Sequence, residues 1–391
     1  VLVPGKDYKI TNNTLNFTQT LTPEPDAEVP DILFCYIGKV EEGNPNINYV
    51  TYNSLAAPTA AGVIGTDSGE NLQTEINYFS DNIVLQLDSA FGSDEITLDT
   101  LTYVELNDAV GKLIHVKDTN VNYQILSQSA TSYDYQGAGG VFYKIISTNG
   151  VYDIRAWPVV GDGVTNDTLY LQTAIDKVMS RGGGTLKITG SNKIYLFDYL
   201  VINRSKTPAN NFDLRFTLEG DGSAVLQHSG NTTNDSAFWI HGNLGSGSLD
   251  AVFTRGATLR NLYIKGDPTS DVRGIRLQRV SSLQFDRVIV ENFGNSAMYL
   301  LDCYDSVFTG VELLRSGRVT NAAVANYGLL ISGSYDQSNA NHFFGLRIEH
   351  CPLILGIING CRHNYFVASK FEQGRTNPTT NNPISIGADT E

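Results

Sequence analysis

A pattern of apolar residue, two others, apolar residue, one other, apolar residue recurs through the last third of this 391-residue chain. Leu259-Leu262-Ile264, Phe285-Val288-Val290, Phe308-Val311-Leu313 and Phe343-Leu346-Ile348 fit it, and Phe366-Ser369-Phe371 fits with a polar middle position. The starts at 259, 285, 308, 343 and 366 are separated by 26, 23, 35 and 23 residues. A second apolar series lies between them: "GIRL" (274–277), "AMYL" (297–300), "GLLI" (328–331) and "LGII" (355–358). A short strand cannot bury its apolar face alone. Stacked on an equivalent strand one rung away, it gains a hydrogen-bond ladder and a continuous interior. Rungs of about 23 residues with two or three strands each predict a parallel β-helix. Leucine-rich repeats have similar length, but their Leu and Asn pattern is absent. The 35-residue rung carries about 12 extra residues, expected as a projecting loop around "RVTNAAVANYG" and "SGSYDQSN".

A stacked solenoid exposes apolar interior and unpaired strand edge at its open end, so it needs a cap. "VVGDGVTNDTLYLQTAID" (159–176) supplies one. Leu171, Ala174, Ile175, Val178 and Met179 form one helical stripe. Asp167 or Thr168 can cap its start, with Arg181 in the last turn and Gly182 to Gly184 ending it. Gly161 and Gly163 are expected to bend the chain onto the cap, and "TLKITG" to be the first coil strand. The "GDG" lacks both the Lys-Ser/Thr of a phosphate loop and the spacing of a dinucleotide fold, so it predicts no nucleotide site.

Upstream, residues 1–58 alternate apolar and polar positions around Asn and Pro turns ("KDYKITNNTLNF", "PDILFCYIGKV"), which predicts a small antiparallel domain. Residues 59–146 read as a linker and a second small β-rich domain. The linker is "AAPTAAGVIGTDSG" (56–69); one short helix ("NLQTEINYFSDNI") and strands in "ITLDTLTYVELND", "GKLIHVKD" and "GGVFYKIIS" follow. Residues 147–391 form the β-helix. The fold class is thus all-β with one short α-helix. Only four or five coils are visible before residue 391, which predicts that the polypeptide continues.

Net charge is −14, which disfavours nucleic acid as a partner. No apolar run approaches the length of a membrane span, so no membrane insertion is expected. Cys35, Cys303, Cys351 and Cys361 have neither CxxC nor zinc spacing and read as buried free thiols. Six dispersed histidines, His342 and His350 sharing one repeat, predict no metal site, and no cofactor is expected.

"AWPVVGDGVTNDTLYLQTAIDKVMSRGGGTLKITG" (156–190) resembles the leading motif of pectate-lyase-like right-handed β-helices, "GDGxTDDTxAIQxAID…GGGTV", with Asn166 where the family usually has Asp. "YDYQGAGGVFYKI" (133–145) resembles the segment before the β-helix in bacteriophage tailspikes. "PGKDYKITNNTLNF" and "AAPTAAGVIGTDSGENLQTEIN" resemble the particle-binding parts of phage tail fibres. The resemblance implies a virion protein and a homotrimer. Residues 1–58 would attach to phage tail or portal/adaptor proteins. The β-helix would bind, and often cleave, bacterial surface polysaccharide (capsule or lipopolysaccharide). The motif caps and does not catalyse, so no catalytic residue is carried over from it.

Strand alternation supplies candidates instead. With Val288/Val290, Val311/Leu313 and Leu346/Ile348 inward, the outward columns read Ile289, Glu312, Arg347, Lys370 and Glu291, Leu314, Glu349, Glu372. Rungs lie about 4.8 Å apart, so Glu349 and Glu372 are expected as neighbours, with Glu312 one rung before. Glycoside hydrolysis uses paired carboxylates, one expected to be an acid raised by its charged neighbour. A ladder of solvated salt bridges fits the same residues. Asp302 and Asp305 read as a turn beside this face. Arg255, Arg260, Arg273, Arg276 and Arg279 fall within two rungs and could hold an anionic polysaccharide, or serve a lyase. Arg273 and Arg276, with Tyr299 and Tyr304 at rung ends, are the substrate-binding candidates; core or trimer packing fits the tyrosines too, as it does Tyr335. Two rivals stand beside a depolymerase: a non-catalytic receptor-binding appendage and a secreted polysaccharide lyase.

Overall fold

The apolar triplet spans two strands because a left-handed residue sits between them. Phe285 lies in strand Gln284–Asp286 and Val290 in strand Ile289–Glu291, and Arg287 between them has φ 52°. That residue breaks the two-residue alternation, so inward positions stand three apart across a corner. The equivalent positions in neighbouring rungs are Asn261, Gly310, Gly345 and Ala368, with φ from 52° to 65°. Their backbone amides still bond the next rung: Arg287 N donates to Thr309 O at 2.9 Å and Gly310 N to Phe344 O at 2.8 Å. The computed structural model describes residues 8–11, 14–17, 83–87, 89–91, 96–102, 106, 109–203, 214–242, 253–318, 326–373 and 384–387.

Three parallel sheets run along the coil, in the order first, second, third within each rung. The first sheet has eight strands, from Val151–Asp153 to Tyr365–Val367. The second has eight, from Asp162–Asn166 to Lys370–Gln373. The main path of the third begins at Leu200–Asn203 and ends at Ile384–Ile386. Like residues stack inside. Tyr152, Leu186, Leu218, Leu259, Phe285, Phe308, Phe343 and Phe366 share one register column. The last four rings pile on one another, with centroids 5.0, 4.6 and 4.7 Å apart, the last two pairs stacked nearly parallel. The chain is therefore a parallel β-helix, and it has more coils than the repeat suggested. Three rungs precede Leu259, and their period is broken: Leu186 to Leu218 is 32 residues and Leu218 to Leu259 is 41. The fourth member of the second series also moves by one residue. Leu329 pairs with Leu355, so Ile354-Leu355-Gly356-Ile357 is in register rather than "LGII".

The coil begins before the cap. Val151–Asp153 and Asp162–Asn166 already pair with Gly184–Ile188 and Ile194–Phe197, so "TLKITG" is the second first-sheet strand. Helix α1, Thr168–Ser180, follows Asp162–Asn166 and stands in the chain where every later rung places a third-sheet strand. Its five expected apolar residues are all buried. Gln172 completes the substitution. Its Oε1 accepts from Val201 N at 2.7 Å and its Nε2 donates to Val201 O at 2.9 Å, so one side-chain amide satisfies both backbone groups of Val201 at the edge of Leu200–Asn203. Asp167 occupies the N-cap position but makes no side-chain cap bond. Its carboxylate instead accepts from Val160 N (2.7 Å) and Gly161 N (3.0 Å), tying the bend to the helix start. Gly161 has φ 62°, and a Cβ there would lie 2.8 Å from the Tyr195 ring. Thr168 Oγ1 accepts from Asp198 N at 2.8 Å.

Contacts divide the chain into Val1–Asn82 and Ile83–Glu391. In the first unit, Tyr8–Thr11 and Thr14–Phe17 pair antiparallel; the other elements expected there, Cys35 and the linker, lie outside the described residues. In the second, a five-stranded sheet (Ile83–Leu87, Leu113–Val116, Val121–Leu126, Tyr135–Gln136, Phe142–Ile146) precedes the coil. It joins the cap directly: Tyr123 Oη donates to Ala156 O at 2.9 Å, and Arg181 reaches Ile145 O (3.2 Å) and the Asp134 carboxylate. "ITLDTLTYVELND" is not a strand where it is described. Thr100 Oγ1 accepts from Thr97 N (2.9 Å) and closes a turn, leaving one bridge at Thr102. Cys303, Cys351 and Cys361 are free and buried.

Phe343 is fully buried between two stacked rings. Phe343→Ala is expected to cost about 3–5 kcal/mol in a denaturant melt. Gln172→Leu keeps the volume but strands both Val201 groups, and should cost about 1–3 kcal/mol in the same measurement.

Candidate functional site

Outside the coil, register stacks polar side chains into columns just as it stacks apolar ones inside. On the second sheet, Ile289, Glu312, Arg347 and Lys370 form one column, and Glu291, Leu314, Glu349 and Glu372 the next. Both agree with strand alternation. The charges interlock. Arg347 bonds Glu312 (3.2 Å) and Glu349 (2.7 Å), and Lys370 bonds Glu349 (2.5 Å) and Glu372 (2.9 Å). Glu349 is only 5% exposed. The hydrogen bonds from Arg347 and then Lys370 lower its carboxyl to about 2. The expected upward push from a neighbouring carboxylate does not act on Glu349, because cations flank it on both sides. Glu349 is therefore ionised at neutral pH and not available as a proton donor. Glu291, two members earlier in the same column, accepts from Tyr263 Oη (2.5 Å) and pairs with Arg315.

The outer face of the third sheet differs. Val201, Trp239, Arg276 and Tyr299 occupy one column. The Arg276 guanidinium lies 5.0 Å from the Trp239 ring centre and 5.9 Å from that of Tyr299, while Arg273 lies 5.1 Å from Tyr299. Asp235 Oδ2 accepts from both arginines, at 2.8 and 2.7 Å. Burial opposes the ionised form of Asp235, but the arginines and Ser236 outweigh it and lower its carboxyl. His241 stacks on Trp239 at 4.1 Å. Its Nδ1 donates to Gly242 O (2.6 Å) and Nε2 faces Asn203 Nδ2 (2.9 Å). Burial lowers its imidazole, which stays neutral. Flat rings with positive charge held against them suit a sugar ring bearing a carboxylate.

The structure brings Arg273, Arg276 and Tyr299 together and leaves Tyr304 out. Tyr304 ends the strand Met298–Tyr304 and packs on Phe253 at 4.7 Å. The five arginines do not form one patch: Arg260 pairs with Glu219 on the first sheet, and Arg279 lies beneath Tyr335 at 4.2 Å. Asp302 does not form the expected turn: it lies within the third-sheet strand Met298–Tyr304, and its Oδ1 accepts from the amides of Ser334, Tyr335 and Asp336, while Asp305 sits at the bend that follows the strand. Trp239, His241 and Asp235 escaped sequence reading because their rung precedes the regular repeat. "DSAFWIH" alternates inward Phe238 and Ile240 with outward Trp239 and His241, a signal that only the register makes legible.

The platform continues toward the cap. Tyr199 lies 6.4 Å from Trp239 and, with Val201 and Asn203, lines a groove of about 580 Å³ against α1. Among the described residues no three His, Cys, Asp or Glu side chains are grouped to hold a metal ion, and no helix is long and apolar enough to cross a membrane.

No family model matches the chain. Over 232 residues it is 48% identical to "Depolymerase 1, capsule KN3-specific" of Klebsiella phage KN3-1. The match covers 59% of this chain and 29% of that relative's length. Among solved structures, ORF18 of Geobacillus virus E2 superposes with TM-score 0.47 at 17% identity, covering 71% of this chain and 55% of that one. Tailspike protein gp49 of Acinetobacter baumannii bacteriophage Fri1, a capsular polysaccharide depolymerase, gives TM-score 0.40 at 11% identity, covering 73% and 62%.

A carboxyl whose folded value lies below its unfolded one adds stability that is complete above the unfolded value and disappears as pH falls through the folded one. Glu349→Gln should therefore melt below the native chain at neutral pH. The gap should close as pH falls toward about 2, the value that sets the ladder's loss.

Proposed function

We propose that this chain is part of a bacteriophage tailspike whose β-helix binds an anionic bacterial surface polysaccharide on the outer face of its third sheet and cleaves it. The single observation that carries the reading is the arginine pair held against Trp239 and Tyr299. In a chain of net charge −14, two guanidiniums sharing the one carboxylate of Asp235 leave a net positive charge on the ring platform, which favours a polyanion there. The 48% identity to a capsule-specific phage depolymerase supports the same class of ligand. In this reading the protein is a homotrimer on the virion, attached through residues 1–58 to tail or portal/adaptor proteins.

Cleavage is assigned to the carboxylate columns of the second sheet. Hydrolysis adds water across the glycosidic C–O bond, with one proton delivered to the departing sugar oxygen. Glu349, held ionised, takes the base or nucleophile role. Glu372, 49% exposed at its side chain, takes the proton-donor role. Glu312 holds Arg347, which holds Glu349. A second reading has its own support. The ladder pairs every one of these carboxylates with a cation, as a purely structural face would, and a non-catalytic receptor-binding appendage needs no more than the platform.

Incubation with purified KN3-type Klebsiella capsular polysaccharide separates the readings. New reducing ends are expected. An ultraviolet-absorbing unsaturated uronate would instead identify a lyase, and binding without fragments would leave the adhesive reading. Arg276→Ala should weaken polysaccharide binding about tenfold or more. Glu349→Gln and Glu372→Gln should each lower fragment release on the order of 100-fold while binding persists; unchanged release from either would remove that residue from the mechanism.

A further inference from the structure

The groove beside the cap helix lies at the end of the platform just described and is continuous with it. Tyr199 lines the groove and faces Trp239, and Asn203 lines it and bonds His241. Its volume of about 580 Å³ falls in the range of small-ligand sites. Its lining includes apolar groups, Tyr199, Val201 and the exposed Leu169 of α1, together with hydrogen-bonding groups such as Asn231 and Thr233. A pyranose has the same two characters, an apolar C–H face and a rim of hydroxyls.

Charge separates the groove from the platform. Asp176 and Asp198 line it, and no lysine or arginine does. Burial opposes the ionised form of Asp198, but hydrogen bonds from Ser229 and Asn166 outweigh it and lower the carboxyl, which stays ionised. A carboxylate sugar placed there would meet like charge, whereas at Arg273 and Arg276 it meets opposite charge.

We infer that the cap groove is a second saccharide subsite, selective for an uncharged sugar ring, next to an acidic-sugar subsite at Arg273 and Arg276. The inference rests on the polysaccharide reading above and adds to it a substrate class. The bound polymer carries a neutral residue on the cap side of an acidic one, which sets its register along the rungs. The cap helix then has two roles: it closes the coil and forms one wall of a binding groove.

The full chain offers separate reporters for the two subsites. Trp157 and Trp239 are its only tryptophans, and Trp157 is buried. Glucuronate is expected to change Trp239 emission and to lose that effect in Arg276→Ala. Galactose and glucose are expected to show saturation-transfer NMR contact that glucuronate does not displace. Thr233→Phe, which fills the groove from an exposed turn without adding a tryptophan, should weaken this contact at least fivefold while the glucuronate response persists. Leu169→Asn, which makes the α1 part of the apolar lining polar, should do the same; a native melt for either variant shows that the fold is intact. Glucuronate binding with neutral-sugar contact that is absent, displaced by glucuronate, or unchanged in both variants overturns the groove subsite alone. No response of the native chain to either sugar class or to capsular polysaccharide overturns both the subsite and the reading beneath it.

Discussion

Every rung of this coil depends on its neighbour for the burial it cannot make alone. A three-residue strand such as Gln284–Asp286 contributes one inward side chain, Phe285. Only stacking on Leu259 and Phe308 surrounds that ring with apolar atoms. In-register pairing therefore supplies both the backbone hydrogen bonds and the core, and the two cannot be separated. It also demands a corner that keeps strict phase from rung to rung. Non-glycine residues such as Arg287 and Ala368 accept a left-handed backbone there, a conformation that costs roughly 1–2 kcal/mol per residue. The ladder bonds and stacked interior offset that strain.

The same dependence makes the first rung the weak point, and α1 answers it in two ways. Its apolar stripe covers the interior, while Gln172 presents to Val201 the donor and acceptor that a further strand would have offered. A helix satisfies its own backbone, so it ends the ladder without creating a new edge. This explains why the one long helix among the described residues sits at the first rung and takes the place of a strand.

Register also distributes chemistry. A column that stacks Phe on Phe inside stacks Glu, Arg and Lys outside on the second sheet, where alternating charges neutralise one another. On the third sheet, the column of Trp239, Arg276 and Tyr299 places cations on rings. The two faces share one geometry and differ only in which residues fill it. The candidate recognition surface is therefore a property of several rungs read together and of no single motif.

Much of this was legible without coordinates. The triplets from Leu259 to Phe371 and the stripe from Leu171 to Met179 fixed the coil, its inward residues and its cap, because a solenoid's interior has to repeat along the chain. Alternation likewise placed Glu312, Arg347, Glu349, Lys370 and Glu372 in their columns. What lay beyond reach were relations across rungs of irregular length. Leu186 and Leu218 joined the column only once insertions of unequal size were folded out of it, and Trp239 joined Arg276 and Tyr299 for the same reason. Charge state was also decided in three dimensions, since Glu349 has Arg347 two residues away but Lys370 one full rung away. Sequence determined what each rung must bury, since burial is enforced rung by rung. Tertiary structure alone decided which surface side chains meet, since that depends on how many residues each rung spends before returning to register.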